Sequence, residues 1–218
     1  MLQFDILTIF PQILDSYFNE SILKIAQKKN KIKIIIHDIR SFAKDKRKTT
    51  DDTPYGGGPG MVMKIEPIHD CLKSIKHKKK SKVFIMDPAG EIFNQQTAKK
   101  YSEKLDQIIF ICGRYEGFDE RVYKLADGKI SIGQYVLSGG ELPAMIITEA
   151  ITRLIPGVLG HEHSILDETF SPDLDYIEYP QYTRPETYKI GNKTYKVPPI
   201  LLSGNHEKIN LWRKKNAK

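Results

Sequence analysis

The sequence holds only two cysteines and one tryptophan, no CxxC pair, and no apolar run approaching the roughly 20 residues that a membrane-crossing helix needs. Cys71 and Cys112 stand far apart, which argues against a disulfide framework and a zinc ribbon and leaves both thiols expected in reduced form. Asp5 interrupts the apolar N-terminal stretch and no small-residue cleavage site follows, so the expectation is a cytoplasmic protein without a signal peptide. Acidic residues are in deficit as well. Lys and Arg number 34 against 27 Asp and Glu, a net charge of +7. The basic residues bunch in KDKRK (44–48), HKKK (77–80) and WRKK (212–215). That balance favours a polyanionic partner through phosphate neutralisation, although ordinary solvated faces give the same runs.

A nucleotide-triphosphate signature is also missing. The loop DDTPYGGGPGM (51–61) is dense in glycine but lacks the lysine and hydroxyl of GxxxxGK[ST]. Its glycines around Pro59 suit a lid over a flat ligand, with Tyr55 placed to stack on a base; a plain surface loop is the alternative. The run His161, His163, Asp167 and Glu168 contains metal-ligand residue types, but it lies in a polar stretch that reads as a linker, and zinc sites need ligands on rigid elements. A carboxylate there is better suited to general-base work once substrate orders the segment.

What is present is an alternation of near-continuous apolar runs with helical patterns. Strands are expected at 2–10, 31–39, 82–87, 107–113 and 129–133, and helices at 11–26, 65–76, 91–105, 117–125 and from Gly140 to about 154. This order predicts an α/β domain with a mostly parallel sheet, whose ligands sit beyond the carboxyl ends of the strands. Two stretches at such ends stand out, CGRYEGFDER (112–121) and SIGQYVLSGGELP (131–143), each an apolar run passing through glycines into a helical pattern. Together they suit one shared pocket; either alone is an ordinary glycine turn. Residues 160–171 lack a period, and 172–218 carry several prolines and one short helical pattern near the end. The expected organisation is thus 1–159 as the main domain, 160–171 as a flexible linker, and 172–218 as a small, mainly helical C-terminal domain.

FDILTIFPQ, DDTPYGGGPGM, CGRYEGFDERV, SIGQYVLSGGELPAM, RLIPGVLG, YPQYTRPE and PPILLSGNH resemble, in order and spacing, the bacterial tRNA (guanine-N1)-methyltransferases of the SPOUT class. The resemblance implies a SPOUT-type parallel sheet with a deep trefoil knot, S-adenosylmethionine as methyl donor, tRNA as substrate, and a homodimer with active sites between subunits. It places the cofactor on Pro88, Gly90, Gly113, Glu116, Ile132, Gly133, Gln134, Tyr135, Val136, Leu137, Gly139, Gly140 and Pro143. Arg153 is the implied catalytic arginine. The implied general base is Glu168, with Asp167 beside it as the alternative, because this chain reads Glu168-Thr169-Phe170 where the family usually has Asp-Ser-Phe. Gln134 likewise replaces a common aspartate. Assistance by Mg²⁺ is a further implication, without a ligand set legible in the sequence.

Overall fold

Strands that are apolar on both sides need cover on both faces, which a parallel sheet flanked by helices supplies. The computed structural model describes residues 1–159, 168–171 and 173–218, and the chain divides into two units, Met1–Gly160 and His161–Lys218. The first unit begins with β1 (Leu2–Thr8), α1 (Gln12–Phe18), α2 (Ser21–Lys28) and β2 (Ile32–Asp38), then a 3-10 turn at Ile39–Phe42. The two-residue strands β3 (Asp51–Asp52) and β4 (Val62–Met63) follow, then α3 (Ile65–Ser74), β5 (Ser81–Ile92) and α4 (Gln95–Lys104). β6 (Gln107–Cys112), a 3-10 turn at Glu120–Leu125, β7 (Gly128–Ser131) and α5 (Glu141–Arg153) complete it.

The five long strands pair in the order β2-β1-β6-β5-β7, every pair parallel. Their side chains alternate between two cores. Phe4, Ile6, Phe84, Ile108 and Phe110 point to the face covered by α1, α2, α4 and α5, while Leu7, Val83, Ile85, Ile109 and Ile111 pack towards α3. Phe110 is fully buried and stacks on Phe4 at 6.4 Å between ring centres; its truncation to alanine would cost about 3–5 kcal/mol.

Several boundaries differ from the sequence expectation for local reasons. The helix expected over 11–26 is two helices, because the chain extends at Glu20 and Ser21 takes φ 48°. The helix expected from residue 91 starts at Gln95: Asn94 caps it by accepting from Thr97 N at 2.9 Å, and Glu91 and Ile92 belong to β5, which resumes pairing with β7 beyond an irregularity between Met86 and Glu91. The helix expected over 117–125 is only a 3-10 turn, capped by Asp119. The glycine loop is held between β3 and β4, with Tyr55 fully exposed.

The second unit contains an antiparallel hairpin of β8 (Thr187–Ile190) and β9 (Lys193–Lys196), then α6 (Pro199–Leu202) and α7 (His206–Asn216). Every hairpin residue is exposed, so no buried alternation announced it. Asn205 caps α7 by accepting from Lys208 N at 3.1 Å, and Trp212 on that helix meets Tyr182 edge to face at 6.4 Å.

Candidate active site

Three connections leave the carboxyl ends of adjacent strands: 87–90 at the irregularity of β5, 113–119 after β6, and 132–140 between β7 and α5. They enclose a cavity of about 360 Å³. The approach of these loops depends on glycine. A Cβ on Gly140 would lie 2.8 Å from both Cys112 Cα and Met86 Cβ, and Gly140 N donates to Gly113 O at 3.0 Å, so the third loop is laid directly across the ends of β5 and β6. Gly113 leaves space that the Phe118 ring occupies, with 2.7 Å to a Cβ placed there. The glycine ribbon is tied to the same turn: Glu116 N donates to Met61 O at 3.1 Å and Met63 N to Gly117 O at 2.9 Å.

The cavity has apolar walls from Met86, Ile130, Ile132, Val136, Leu137 and Pro143, and polar groups from Asp87, Arg114, Glu116, Tyr123, Ser131 and Ser138. One polar contact here is an ion pair that the sequence pattern did not reveal. Glu141, at the start of α5 and 1% exposed, lies 2.9 Å from Arg114 Nη2 and accepts from Thr8 Oγ1 at 2.6 Å. The Arg114 guanidinium also sits 4.8 Å over the Phe10 ring. A carboxylate in the first turn of a helix is favoured by the helix dipole, and the arginine compensates its burial. A second polar contact joins Tyr123 to Asp87 Oδ2 at 2.7 Å; burial, reinforced by this carboxylate, pushes the Tyr123 hydroxyl pKa up. Burial likewise raises the Cys112 thiol well above its ordinary value, with Glu141 adding to the effect and Arg114 opposing it.

Of the residues singled out for cofactor binding, Pro88, Gly113, Glu116, Ile132, Gly133, Tyr135, Val136, Leu137, Gly139, Gly140 and Pro143 line this cavity. Gly90 and Gln134 do not. Gly90 borders a second cavity, and a Cβ there would lie 2.6 Å from Ile130 N, so its lack of a side chain serves the approach of β5 to β7. Gln134 is exposed. Arg153 is half-buried at the last position of α5, and Glu168 belongs to the second unit, its carbonyl accepting from Ser171 N at 2.9 Å. Asp167, His161 and His163 lie outside the described residues. Among the described residues no three His, Cys, Asp or Glu side chains gather as metal ligands.

What the sequence did not reveal is the pairing of Asp87 with Tyr123 and of Glu141 with Arg114 and Thr8. Arg114 and Glu141 each adjoin a glycine that was noticed, which was the available signal; Thr8 was not recoverable, because its partner is 133 positions away. The arrangement suits a small molecule with a flat or apolar body gripped by backbone groups and a polar end met by side chains such as Asp87, Arg114 and Glu116.

Comparisons with known proteins agree on one family. A family model described as tRNA (Guanine-1)-methyltransferase TrmD matches residues 2–218. A tRNA (guanine-N(1)-)-methyltransferase of Dictyoglomus turgidum is 51% identical over 217 residues, covering 100% of this chain and 85% of the relative. The protein of the same name from Caldanaerobacter subterraneus is 49% identical over 215 residues, 98% of this chain and 86% of its own length. One from Staphylococcus aureus is 48% identical over 213 residues, 97% of this chain and 84% of its own.

Proposed function

Because the chain belongs to the tRNA (guanine-1)-methyltransferase family, we propose that it transfers a methyl group to N1 of the guanine immediately 3′ of the anticodon of tRNA, position 37. The observation that carries this reading is the full-length family match combined with a glycine-built cavity at the carboxyl ends of three adjacent parallel strands. S-adenosylmethionine, when bound, supplies an electrophilic methyl group on sulfur. The cavity fits it: Gly113, Gly139 and Gly140 let backbone come close, Ile132, Val136, Leu137 and Pro143 give apolar walls for an adenine, and Glu116 offers a carboxylate to a cationic end. The third loop laid across the ends of β5 and β6 is what a trefoil knot of the SPOUT type would require.

The residues of the chain then have a defined task. Guanine N1 carries a proton and is a poor nucleophile until that proton leaves. Glu168, or Asp167 beside it, takes the proton; charge develops on O6, and the Arg153 guanidinium answers it there. With the donor bound, N1 would take the methyl carbon and the donor's sulfur would keep the electron pair of the bond that breaks. At 1.5 Å per residue, α5 sets Arg153 roughly 15 Å from Pro143 at the cavity wall, a distance that favours supply of the arginine by a second chain. Exposed apolar side chains support such a homodimer: Phe10, Ile13 and Tyr17 from one segment, Leu142 and Ile146 from α5.

Methyl transfer from labelled S-adenosylmethionine to an unmodified tRNA transcript, beside a transcript with adenine after the anticodon, tests this. Label should enter the guanine transcript alone, and Glu168→Gln should lower kcat by about 10²- to 10⁴-fold. Loss in Asp167→Asn instead moves the base to Asp167. Cofactor binding without label in either transcript would leave the fold standing and the activity refuted.

A further inference from the structure

The amino-terminal edge of the sheet carries a surface for which the methyl-transfer chemistry has no use. Between α3 and β5 the chain passes through Lys76, His77 and three successive lysines, of which Lys79 and Lys80 are exposed, as is Lys82 just beyond. Beneath this turn lies one fully buried amide. Gln107 Oε1 accepts from Lys78 N at 2.7 Å, and Gln107 Nε2 reaches Lys76 O at 3.4 Å and Asp5 Oδ2 at 2.7 Å. Asp5 is held in turn by His37 Nε2 at 2.8 Å and Gln3 Nε2 at 2.9 Å. The lysine turn is therefore fastened at two backbone points to a bonded network inside the sheet.

The same turn abuts further lysines. Lys80 O accepts from Asp106 N at 2.9 Å, next to the end of α4, and there a second cavity of about 510 Å³ is bordered by Lys82, Lys100, Lys104 and Lys129 with the Tyr101 ring. The facing carboxylates are Asp127, paired with Lys82 at 2.6 Å, Glu91 on the cavity wall, and the exposed Asp106 and Glu103. They neutralise only part of the edge. A mobile turn would let its lysines move apart and relieve their repulsion; this one holds their backbone in place, which lowers the ordering cost of meeting a polyanion. The positive groups are spread from the turn to the cavity and do not converge on one point. That spacing matches a chain of phosphates better than a single bound anion.

We infer that this edge, centred on Lys79, Lys80 and Lys104, binds the phosphate backbone of the tRNA away from the guanine that is modified. This rests on tRNA being the substrate. β5 runs from Ser81 to Met86 before reaching the cavity of the active site, which at about 3.3 Å per residue puts the edge roughly 20 Å from it, a span that an RNA arm crosses.

The test is the salt dependence of binding of an unmodified tRNA transcript to the full chain and to Lys79→Gln/Lys80→Gln/Lys104→Gln. The expected result is a slope of log K against log salt shallower by about 2 to 3, since each phosphate contact contributes roughly 0.7–0.9. KM for tRNA should rise while kcat at saturating tRNA, S-adenosylmethionine binding and the unfolding midpoint stay unchanged. The Arg triple variant should keep the wild-type slope. An unchanged slope in the Gln variant, with wild-type methylation intact, overturns the assignment and leaves the activity standing. Wild-type protein that binds tRNA without methylating it defeats the activity while the slope still decides the surface; protein that binds no tRNA defeats both.

Discussion

At the carboxyl ends of β5, β6 and β7 the chain turns on glycines and keeps its buried charges in pairs, whereas at the amino end of β5 it turns on lysines that face solvent above a buried amide. The first end is shaped by backbone: Gly140 and Gly113 exist so that other atoms can occupy the space of a side chain. The second is shaped by side chains, and only Gln107 and Asp5 beneath them are committed to the core. Substitution at the first end should therefore change stability and ligand binding together. At the second end the two should separate.

The sharpest way to break that contrast is to unpair the buried charges of the carboxyl end. Glu141→Ala removes the partner of Arg114, whose side chain is 18% exposed, and that of Thr8 as well. Breaking a buried pair by deleting one member costs about 3–5 kcal/mol, against less than roughly 0.5 kcal/mol for an exposed lysine such as Lys79. Urea unfolding of both variants decides it. Equal, small losses would mean that the ion pair at the cavity contributes no more than a surface charge.

A methyl group added at Gly140 probes the same end more gently. Its Cβ meets backbone on one side and Met86 on the other, neither of which can swing away, so Gly140→Ala should cost about 1–3 kcal/mol and weaken S-adenosylmethionine binding in titration calorimetry. Gly56 is the control: a Cβ there meets nothing within 4 Å, and only its φ of 88° opposes alanine. Weakened cofactor binding from the Gly56 change with none from Gly140 would reverse the roles given to the ribbon and the third loop.

This contrast also separates what was legible in the sequence from what was not. Uniform apolar runs announced the five strands, since burial on both faces leaves no polar alternation, and the glycines of 112–121 and 131–143 announced the cavity because their pattern is local. Contacts between distant positions left no such trace. Thr8 with Glu141, and Gln107 with Lys78, are pairs that only the completed sheet brings together. Gly90 looked like a ligand glycine because its motif resembles one, while the space it vacates is taken by the backbone of β7. The lysine run was visible from the start, but its fastening to the core was not, and that fastening is what distinguishes it from an ordinary solvated face.

The smallest expected effect tests the buried network under the lysine edge, and it has a definite sign with pH. Burial alone would raise the Asp5 carboxyl, but hydrogen bonds from His37, Gln107 and Gln3, helped by the charge of His37, together hold it below its ordinary 3.8. A carboxyl whose pKa is lower in the folded state than in the unfolded chain binds its proton more readily when unfolded. Its contribution to stability is therefore fully present above about 3.8 and is lost as pH falls below that value through the folded pKa. Asp127, held low by Lys82 and Val83 N despite its burial, and Asp119, held to about 2 by Arg121, follow the same direction and remain in any variant of Asp5. Asp5→Asn keeps the shape of the side chain, removes its charge and turns one of its two accepting oxygens into a donor, a loss that does not vary with pH. The difference in unfolding midpoint between wild type and this variant should accordingly be greatest at neutral pH and shrink as the solution is acidified below 3.8. A difference that stays constant over that range would mean that Asp5 acts in the folded chain by its shape and hydrogen bonds alone, and that the lysine turn rests on a neutral support.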